Sequence, residues 1–455
     1  LQTGTGGKTS LPANIKWRAS SRTGIGWSHH QKFLVCDAPG PGGRRIIKLF
    51  IGGIDLTQGR FDWPEHPILP DDPNCAGFRQ AISLSGTKYD DWYNAEFAKE
   101  DDLSALPRQP WHDIHGMIEG PAAWDIVREF VGRWNKDPSF GLGSDAMGDD
   151  DNDSIRTVLD KFRSLFDSKV FVQQWEPHQG PWTAQIYRSL CHAHWGEFGT
   201  ISIDHLDTPR PGGKTQREFL TTVRGSFELS IQEAYRQVID QAEKYIYIET
   251  QYLIGSGKHW GRGSIKNDLE ERIVKRIKKR IADGVPFHAY ILMPMFPEGI
   301  PISGPAKAQR FFEWKTMEYM VREIYNVVGD RWRDYLSFYF IAKWHTVGKA
   351  LTQGTRKDRV KKNGRYMIYV HSKLMMADDR YVIFGSANLN ERSLAGDRDS
   401  EICVGLWPNR SSADQDQCIN DLRQFRKDIW REHWGADIAS VDNPESVACA
   451  TDARK

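Results

Sequence analysis

Apolar residues along the chain follow two spacings, one typical of helices and one typical of buried strands. Recurrence every three or four residues predicts amphipathic helices at Pro121–Trp134, Phe227–Ala242, Leu269–Ala282, Phe312–Val328 and Ala413–Trp434. Short apolar runs predict strands at Tyr245–Ile248 and His288–Met293, each preceded by one of these helices. Because helices alternate with apolar strands, we expect an α/β fold with mixed sheets.

The chain carries one local pattern twice. The spacing H-x-K-x-x-x-x-D occurs at His30, Lys32 and Asp37, and again at His371, Lys373 and Asp378. Each copy continues into an apolar run and a glycine-containing turn, in which Gly52 matches Gly385, Gly53 matches Ser386 and Asp55 matches Asn388. Such a repeat predicts two lobes that carry the same strand–turn–strand unit, each supplying half of one active site. We place the first lobe in residues 1–155 and the second in residues 156–455.

Strand periodicity separates the residues of each copy into two groups. We expect both motifs to lie on strands, where residues two positions apart share a face. His30 and Lys32 therefore point the same way, and Asp37, at an odd offset, points to the opposite face. The same holds for the second copy. We infer that histidine and lysine carry the chemistry, whereas Asp37, Asp378 and the turn residue Asp55 have structural roles.

Two histidines and two lysines suit the cleavage of a phosphodiester. Ammonium groups stabilise the charge that grows on the phosphoryl oxygens, without a metal. One neutral imidazole can attack phosphorus to form a phosphohistidine, and a second, protonated imidazole can donate to the leaving alkoxide. Gly53, Ser386 and Asn388 are predicted to lie beside the phosphate. We assign no metal ligands and expect no cofactor to be required.

A nucleophilic or acidic histidine works best when a carboxylate holds its other ring nitrogen. Glu401 leads into an apolar strand, and we expect it to orient His371. Asp113, in a Trp-His-Asp-Ile-His segment, is the corresponding candidate for His30. The alternative is that each is a helix cap or a surface carboxylate.

Composition narrows the class of protein. A net charge of +1, from 61 basic and 60 acidic residues, lacks the excess that long polyanions attract, so no nucleic acid is expected. The six cysteines form no C-x-x-C pair, which leaves their disulfide state open and disfavours a zinc site. The acidic residues 137–154 lack the register of an EF-hand and are typical of a linker. The sequence contains no run of 18 apolar residues, so we expect no membrane-spanning helix.

With these two motifs the chain resembles the phospholipase D superfamily, whose hallmark is a pair of H-x-K-x(4)-D motifs. Similarity to plant-type members extends to Gly52–Leu56, Trp111–His115, Ile248–Tyr252, Pro294–Gly299, Gly385–Ser393 and Arg398–Glu401. The resemblance implies a two-lobed, duplicated α/β/α sandwich with mixed sheets and a pseudo-two-fold active site at the lobe interface. It also implies His30 as nucleophile and His371 as general acid. It also leaves Ca²⁺ open as an activator. Plant relatives carry a C2 domain and further strands before the first motif, and neither is visible, so the first lobe is expected to lack its N-terminal part.

The resemblance implies hydrolysis of phosphatidylcholine-type lipids at a membrane or micelle surface, with water or an alcohol as acceptor of the phosphatidyl group. We expect a monomer, soluble or peripheral at membranes, and either secreted or cytoplasmic. One alternative is a nuclease or phosphatidyltransferase with the same fold. A second is a non-catalytic lipid-binding protein, which would not need a nucleophile and an acid.

Overall fold

A computed structural model describes residues 28–40, 43, 45–56, 60, 62–66, 109–136, 180–191, 227–257, 267–298, 303–344, 365–409, 412–434 and 440–453. The linker predicted over residues 137–154 and the lobe boundary after residue 155 lie outside these ranges. The two-lobe division therefore stays a prediction.

The described strands form one large sheet and three small ones. Their bounds are β1 Phe33–Pro39, β2 Arg45–Gly52, β3 Trp111–His112, β4 His115–Glu119, β5 Trp182–Cys191, β6 Phe227–Leu229, β7 Tyr245–Glu249, β8 His288–Leu292, β9 Leu336–Tyr339, β10 Ala342–Trp344, β11 Arg365–Met367, β12 Tyr369–Val370, β13 Leu374–Ala377, β14 Tyr381–Gly385 and β15 Glu401–Pro408. The eight-stranded sheet has the order β6-β5-β15-β14-β13-β7-β8-β9, and β1-β2-β4 form a three-stranded sheet. Only β7, β8 and β9 run parallel within the large sheet, which makes it mixed.

The helices cover both faces of the large sheet. Their bounds are α1 Pro121–Lys136, α2 Ser230–Gln241, α3 Leu269–Ala282, α4 Gly304–Val328, α5 Glu391–Leu394, α6 Gln415–Trp434 and α7 Val447–Asp452. Strand β7 shows why two layers form. Its Ile246 and Ile248 pack with α2, α3 and α4, while Tyr245 and Tyr247 pack with β2, β4, α1 and α6. The α/β class with a large mixed sheet is confirmed.

Tertiary pairing altered some predicted bounds. The helix predicted from Phe227 begins at Ser230, because Phe227–Leu229 pairs with β5 as an edge strand. Helix α4 begins eight residues before the predicted start, where the Ser303 side chain accepts a hydrogen bond from the Ala306 amide at 3.3 Å. The histidine–lysine pairs were predicted on strands, which is wrong: both lie in the segments immediately before β1 and β13.

Two further predictions concern membranes and thiols. None of the helices in the described part of the chain combines the length and hydropathy needed to cross a bilayer. Within the same ranges Cys36, Cys403, Cys418 and Cys449 carry no disulfide.

Candidate active site

The two copies of the motif lie next to each other in the fold and exchange hydrogen bonds. The backbone amide of His30 donates to the Ser400 carbonyl at 2.9 Å, and that of His371 donates to the His112 carbonyl at 2.8 Å. Each histidine is thus fixed by the chain of the other copy. Within each copy the lysine Nζ donates back to the histidine carbonyl, at 2.9 Å from Lys32 to His30.

Glu401 holds the imidazole of His30. The His30 Nδ1 lies 3.0 Å from Glu401 Oε2, and the carboxylate is fully buried. The hydroxyls of Ser386 and Ser393 donate to its two oxygens at 2.6 Å each. Burial alone would raise the pKa of Glu401, but the charge of His30 and these hydrogen bonds outweigh burial and lower it. Glu401 is therefore a carboxylate at neutral pH.

Asp113 holds the imidazole of His371. Its Oδ2 lies 2.8 Å from His371 Nδ1, and both side chains are buried. Burial would raise the pKa of Asp113, but the hydrogen bond and charge of His371, with the charge of Lys373, lower it. The indole of Trp111 lies against the His371 ring, with centroids 4.9 Å apart. This contact limits the orientations open to the ring.

The predicted pairing of acids with histidines is wrong, because the two acids are exchanged. Sheet register explains why. Gly52 pairs with His115 in the first copy, and Gly385 pairs with Cys403 in the second. Counting back two residues makes Asp113 the equivalent of Glu401. Each acid therefore stands beside its own copy's turn and reaches the histidine of the other copy.

The glycine of each turn permits this close approach. A Cβ on Gly52 would collide with the backbone at Ile114, and one on Gly385 would collide with the backbone at Ile402. A Cβ on Gly53 would collide with the Asp113 carboxylate itself. The position of Gly53 beside the phosphate stays a prediction, and the described contacts put Gly53 next to this acid. The structure thus gives Gly53 a role in placing Asp113.

Ser386 was also predicted to donate to the phosphate, and the structure corrects this. Its Oγ is buried, donates to Glu401 Oε2 and accepts from the Ile402 amide at 2.9 Å. The only hydroxyl proton is therefore used by the acid. Asn388 stays a candidate for the phosphate, since one Nδ2 contact, to Gln251 at 3.3 Å, leaves a second N–H available.

Each lysine has a second polar neighbour that the local pattern did not assign. Lys32 Nζ lies 3.2 Å from Asp55 Oδ1, and Lys373 Nζ donates to Gln251 Oε1 at 3.1 Å. Asp55, predicted to be purely structural, is therefore an ionic neighbour of a site lysine. Gln251 carried no signal beyond the motif resemblance, because it comes from the end of β7 rather than from either copy.

Asp37 and Asp378 both lie outside the site, as predicted, but in different surroundings. Asp378 has a φ of 57° and accepts hydrogen bonds from the amides of Glu243, Lys244 and Tyr245 at 2.7 to 3.0 Å. Asp37 instead pairs with Arg45 on an exposed strand surface. Asp378 therefore anchors the chain before β7, whereas Asp37 makes a solvent-screened ion pair.

Burial also shapes the charge of the second copy. It lowers the pKa of His371 to about 4, assisted by the Lys373 ammonium and opposed by Asp113. It lowers the pKa of Lys373 to about 7. A phosphodiester anion would oppose both shifts, because negative charge favours the protonated forms. The site is thus arranged to gain positive charge when a phosphate anion binds.

Two groups of side chains beside the site could hold a cation. One comprises His66, His112 and Glu432, and the other His112, Glu249 and His433. Imidazole nitrogens with one carboxylate suit transition metals, whereas Ca²⁺ is usually surrounded by oxygens. His112 belongs to both groups and lies 2.8 Å from a carboxylate of each, Glu432 and Glu249. Burial would lower the pKa of His112, but these carboxylates outweigh burial and raise it to about 10. Calcium activation stays a prediction.

The chain is similar to known phospholipase D proteins over almost its whole length. The family model described as PLDc, phospholipase D, matches residues 9–455. Phospholipase D alpha 1 of Cynara cardunculus is 31% identical over 94% of the chain, and phospholipase D beta 2 of Arabidopsis thaliana is 32% identical over 96%. The matches cover 52% and 47% of those proteins, so the chain spans about half the length of the curated relatives it matches.

Solved structures give weaker likenesses. Nuc, a phospholipase D family member from Salmonella typhimurium, is 13% identical with a TM-score of 0.26, covering 56% of this chain and 95% of its own. The phosphatidylserine synthase of Haemophilus influenzae Rd KW20 is 12% identical with a TM-score of 0.34, covering 71% of this chain and 55% of its own. These scores are too low to compare the sites residue by residue.

Proposed function

The chain belongs to the phospholipase D family, and from that premise we propose that it cleaves the head group from phosphatidylcholine-type phospholipids and transfers the phosphatidyl group to water or an alcohol. The observation that carries the proposal is the crosswise pairing of two imidazoles with two buried carboxylates. In the described part of the chain, the side-chain hydrogen bonds of His30 and His371 use Nδ1. The Nε2 atoms are therefore available for chemistry.

The first half of the reaction needs a nucleophile and an acid. His30 Nε2 attacks phosphorus, forming a P–N bond as the bond from phosphorus to the head-group oxygen breaks. His371 Nε2 gives its proton to that oxygen, which leaves as the free alcohol. The phosphate charge supports protonation of the buried His371, and Lys32 and Lys373 stabilise the phosphoryl oxygens. The choice of His30 as nucleophile follows the family resemblance.

The second half reverses the roles. Water or an alcohol gives its proton to His371 Nε2 while its oxygen bonds to phosphorus, and the P–N bond breaks. His30 is then restored, held by Glu401 at 3.0 Å in the tautomer needed for the next turnover. Because any hydroxyl that reaches the phosphohistidine can accept the phosphatidyl group, hydrolysis and transphosphatidylation share one intermediate.

Phosphatidylcholine with added ethanol tests the proposal. We expect choline, phosphatidic acid and phosphatidylethanol as products, and no turnover in either His30→Ala or His371→Ala. Cleavage of plasmid DNA without choline release would favour a nuclease instead. Binding of phosphatidylcholine without any turnover would favour a lipid-binding protein. Substantial activity in either histidine variant would contradict a shared site.

A further inference from the structure

We propose that the N-terminal half of α4 and the exposed apolar side chains beside it form a surface that docks on a phospholipid bilayer. This proposal rests on the proposed function, since it names the physical state of the substrate. We call these residues the docking face: Met295, Lys307, Arg310, Phe311, Trp314, Phe340 and Trp344. The surface is separate from the residues that perform the chemistry.

Helical spacing puts four of these side chains on one stripe. Lys307, Arg310, Phe311 and Trp314 stand at positions i, i+3, i+4 and i+7, and all four are exposed. Phe311 is 49% exposed and Trp314 is 52% exposed, although the opposite side of the helix packs into the core. Exposed aromatic side chains beside cations are typical of helices that lie in a membrane interface.

Further exposed apolar side chains line a cavity next to this stripe. Arg310 stacks on the Phe296 ring with its guanidinium carbon 4.7 Å from the centroid. Phe296 lines a cavity of about 720 Å³ together with Met295, Phe340 and Trp344, which are 50%, 40% and 69% exposed. Large apolar side chains held in water at one place favour transfer into an apolar phase.

A chain of contacts joins this surface to the candidate active site. Glu298, two residues after Phe296, lies 3.4 Å from Arg60, whose guanidinium stacks 4.0 Å from the centroid of the Trp111 ring. Trp111 in turn contacts the His371 ring. This series of contacts connects the docking face with the site that would receive the lipid phosphate.

Charge identifies a bilayer as the partner. The segment from Ser303 to Phe312 contains two cations and no acid, while Glu313 is buried and Glu318 is paired with Lys315. Exposed cations attract anionic head groups, and exposed aromatic rings enter the interface between head groups and acyl chains. A protein partner would use the same apolar surface without responding to lipid charge, and the experiment separates the two.

Vesicle flotation of the whole chain provides the test, and the helix offers a matched control. Tyr325 and Val327, 49% and 50% exposed, lie on α4 about 21 Å and about 24 Å along the axis from Phe311. We expect the double variant Phe311→Ala/Trp314→Ala to bind phosphatidylcholine vesicles on the order of tenfold to a hundredfold more weakly. The double variant Tyr325→Ala/Val327→Ala should bind as the wild type does.

A double variant of the two cations tests the role of charge. Adding phosphatidylserine to the vesicles should strengthen wild-type binding, and salt should reverse the gain. Lys307→Gln/Arg310→Gln should lose this gain, on the order of tenfold. Activity on monomeric short-chain phosphatidylcholine should be unchanged in every pair, which also shows that the variants fold.

The outcomes separate docking from catalysis. Absence of wild-type binding, equal binding by Phe311→Ala/Trp314→Ala, or equal losses in both aromatic and control pairs would overturn the docking face. Loss of binding confined to the Phe311 and Trp314 pair supports it, even if phosphatidylcholine is not cleaved. In that case docking stands and the proposed function fails.

Discussion

Replacing Glu401 with glutamine tests the exchanged pairing of acids and histidines most directly. The side chain keeps its shape, but it loses its charge and one of its two acceptor oxygens. Three donors face it: His30 Nδ1 at 3.0 Å, and the hydroxyls of Ser386 and Ser393 at 2.6 Å each. A glutamine amide has one acceptor oxygen, and its NH₂ group would face a donor.

The cost has two parts, in stability and in rate. A buried donor left without an acceptor costs about 1–3 kcal/mol, and we expect Glu401→Gln to lose stability by this amount. Losing the carboxylate that fixes a catalytic tautomer reduces kcat on the order of 10⁴-fold in a serine protease triad, and we expect a comparable fall here. Ser393→Ala, which removes one hydrogen bond to Glu401, should cost less than about tenfold in kcat.

Two measurements decide the matter. Choline release gives kcat, and nitrogen-15 spectra of the imidazoles show which histidine changes its tautomer. Glu401→Gln should alter His30 and leave His371 unchanged, while Asp113→Asn should do the reverse. A change confined to His371 in Glu401→Gln, or a fall in kcat smaller than tenfold, would refute the reasoning.

Three further predictions follow from the described contacts. Asp378→Ala should lower the free energy of unfolding by about 1–3 kcal/mol, since it removes the carboxylate that accepts from three successive backbone amides. Asp37→Ala should cost less than about 1 kcal/mol, since its ion pair is exposed. Urea titrations measure both, and equal losses would contradict the distinction. The pKa of His371 is about 4 in the folded state, below the ordinary value of 6.5. Between these two pH values the unfolded state binds more protons than the folded state. The free energy of unfolding should therefore fall as the pH drops through this window, by about 3 kcal/mol at most. His371→Asn should show a shallower fall in pH-dependent melts, and inorganic phosphate should reduce it in the wild type. Gly53→Ala should reduce kcat more than tenfold by displacing Asp113, and normal activity would show that the acid can shift without harm.

Local pattern was enough to find the candidate site residues of this chain. The repeat identified His30, Lys32, His371 and Lys373 because residue identity and short spacing need no knowledge of distant contacts. The helix over Leu269–Ala282 appears with the predicted bounds, because its apolar stripe and the acidic residues of its first turn both indicate a helix that begins there. Asp113 and Glu401 were also found, since an acid leading into an apolar segment is a local signal.

The tertiary structure decided which groups meet. Glu401 reaches His30 across 371 positions of sequence, and Asp113 reaches His371 across 258. Sheet register brings these atoms together, and register depends on how β2 meets β4 and β14 meets β15. Gln251 and Asp55 became neighbours of the lysines for the same reason. Spacing within a repeat determines which face a side chain takes, whereas the pairing of distant strands determines what it faces.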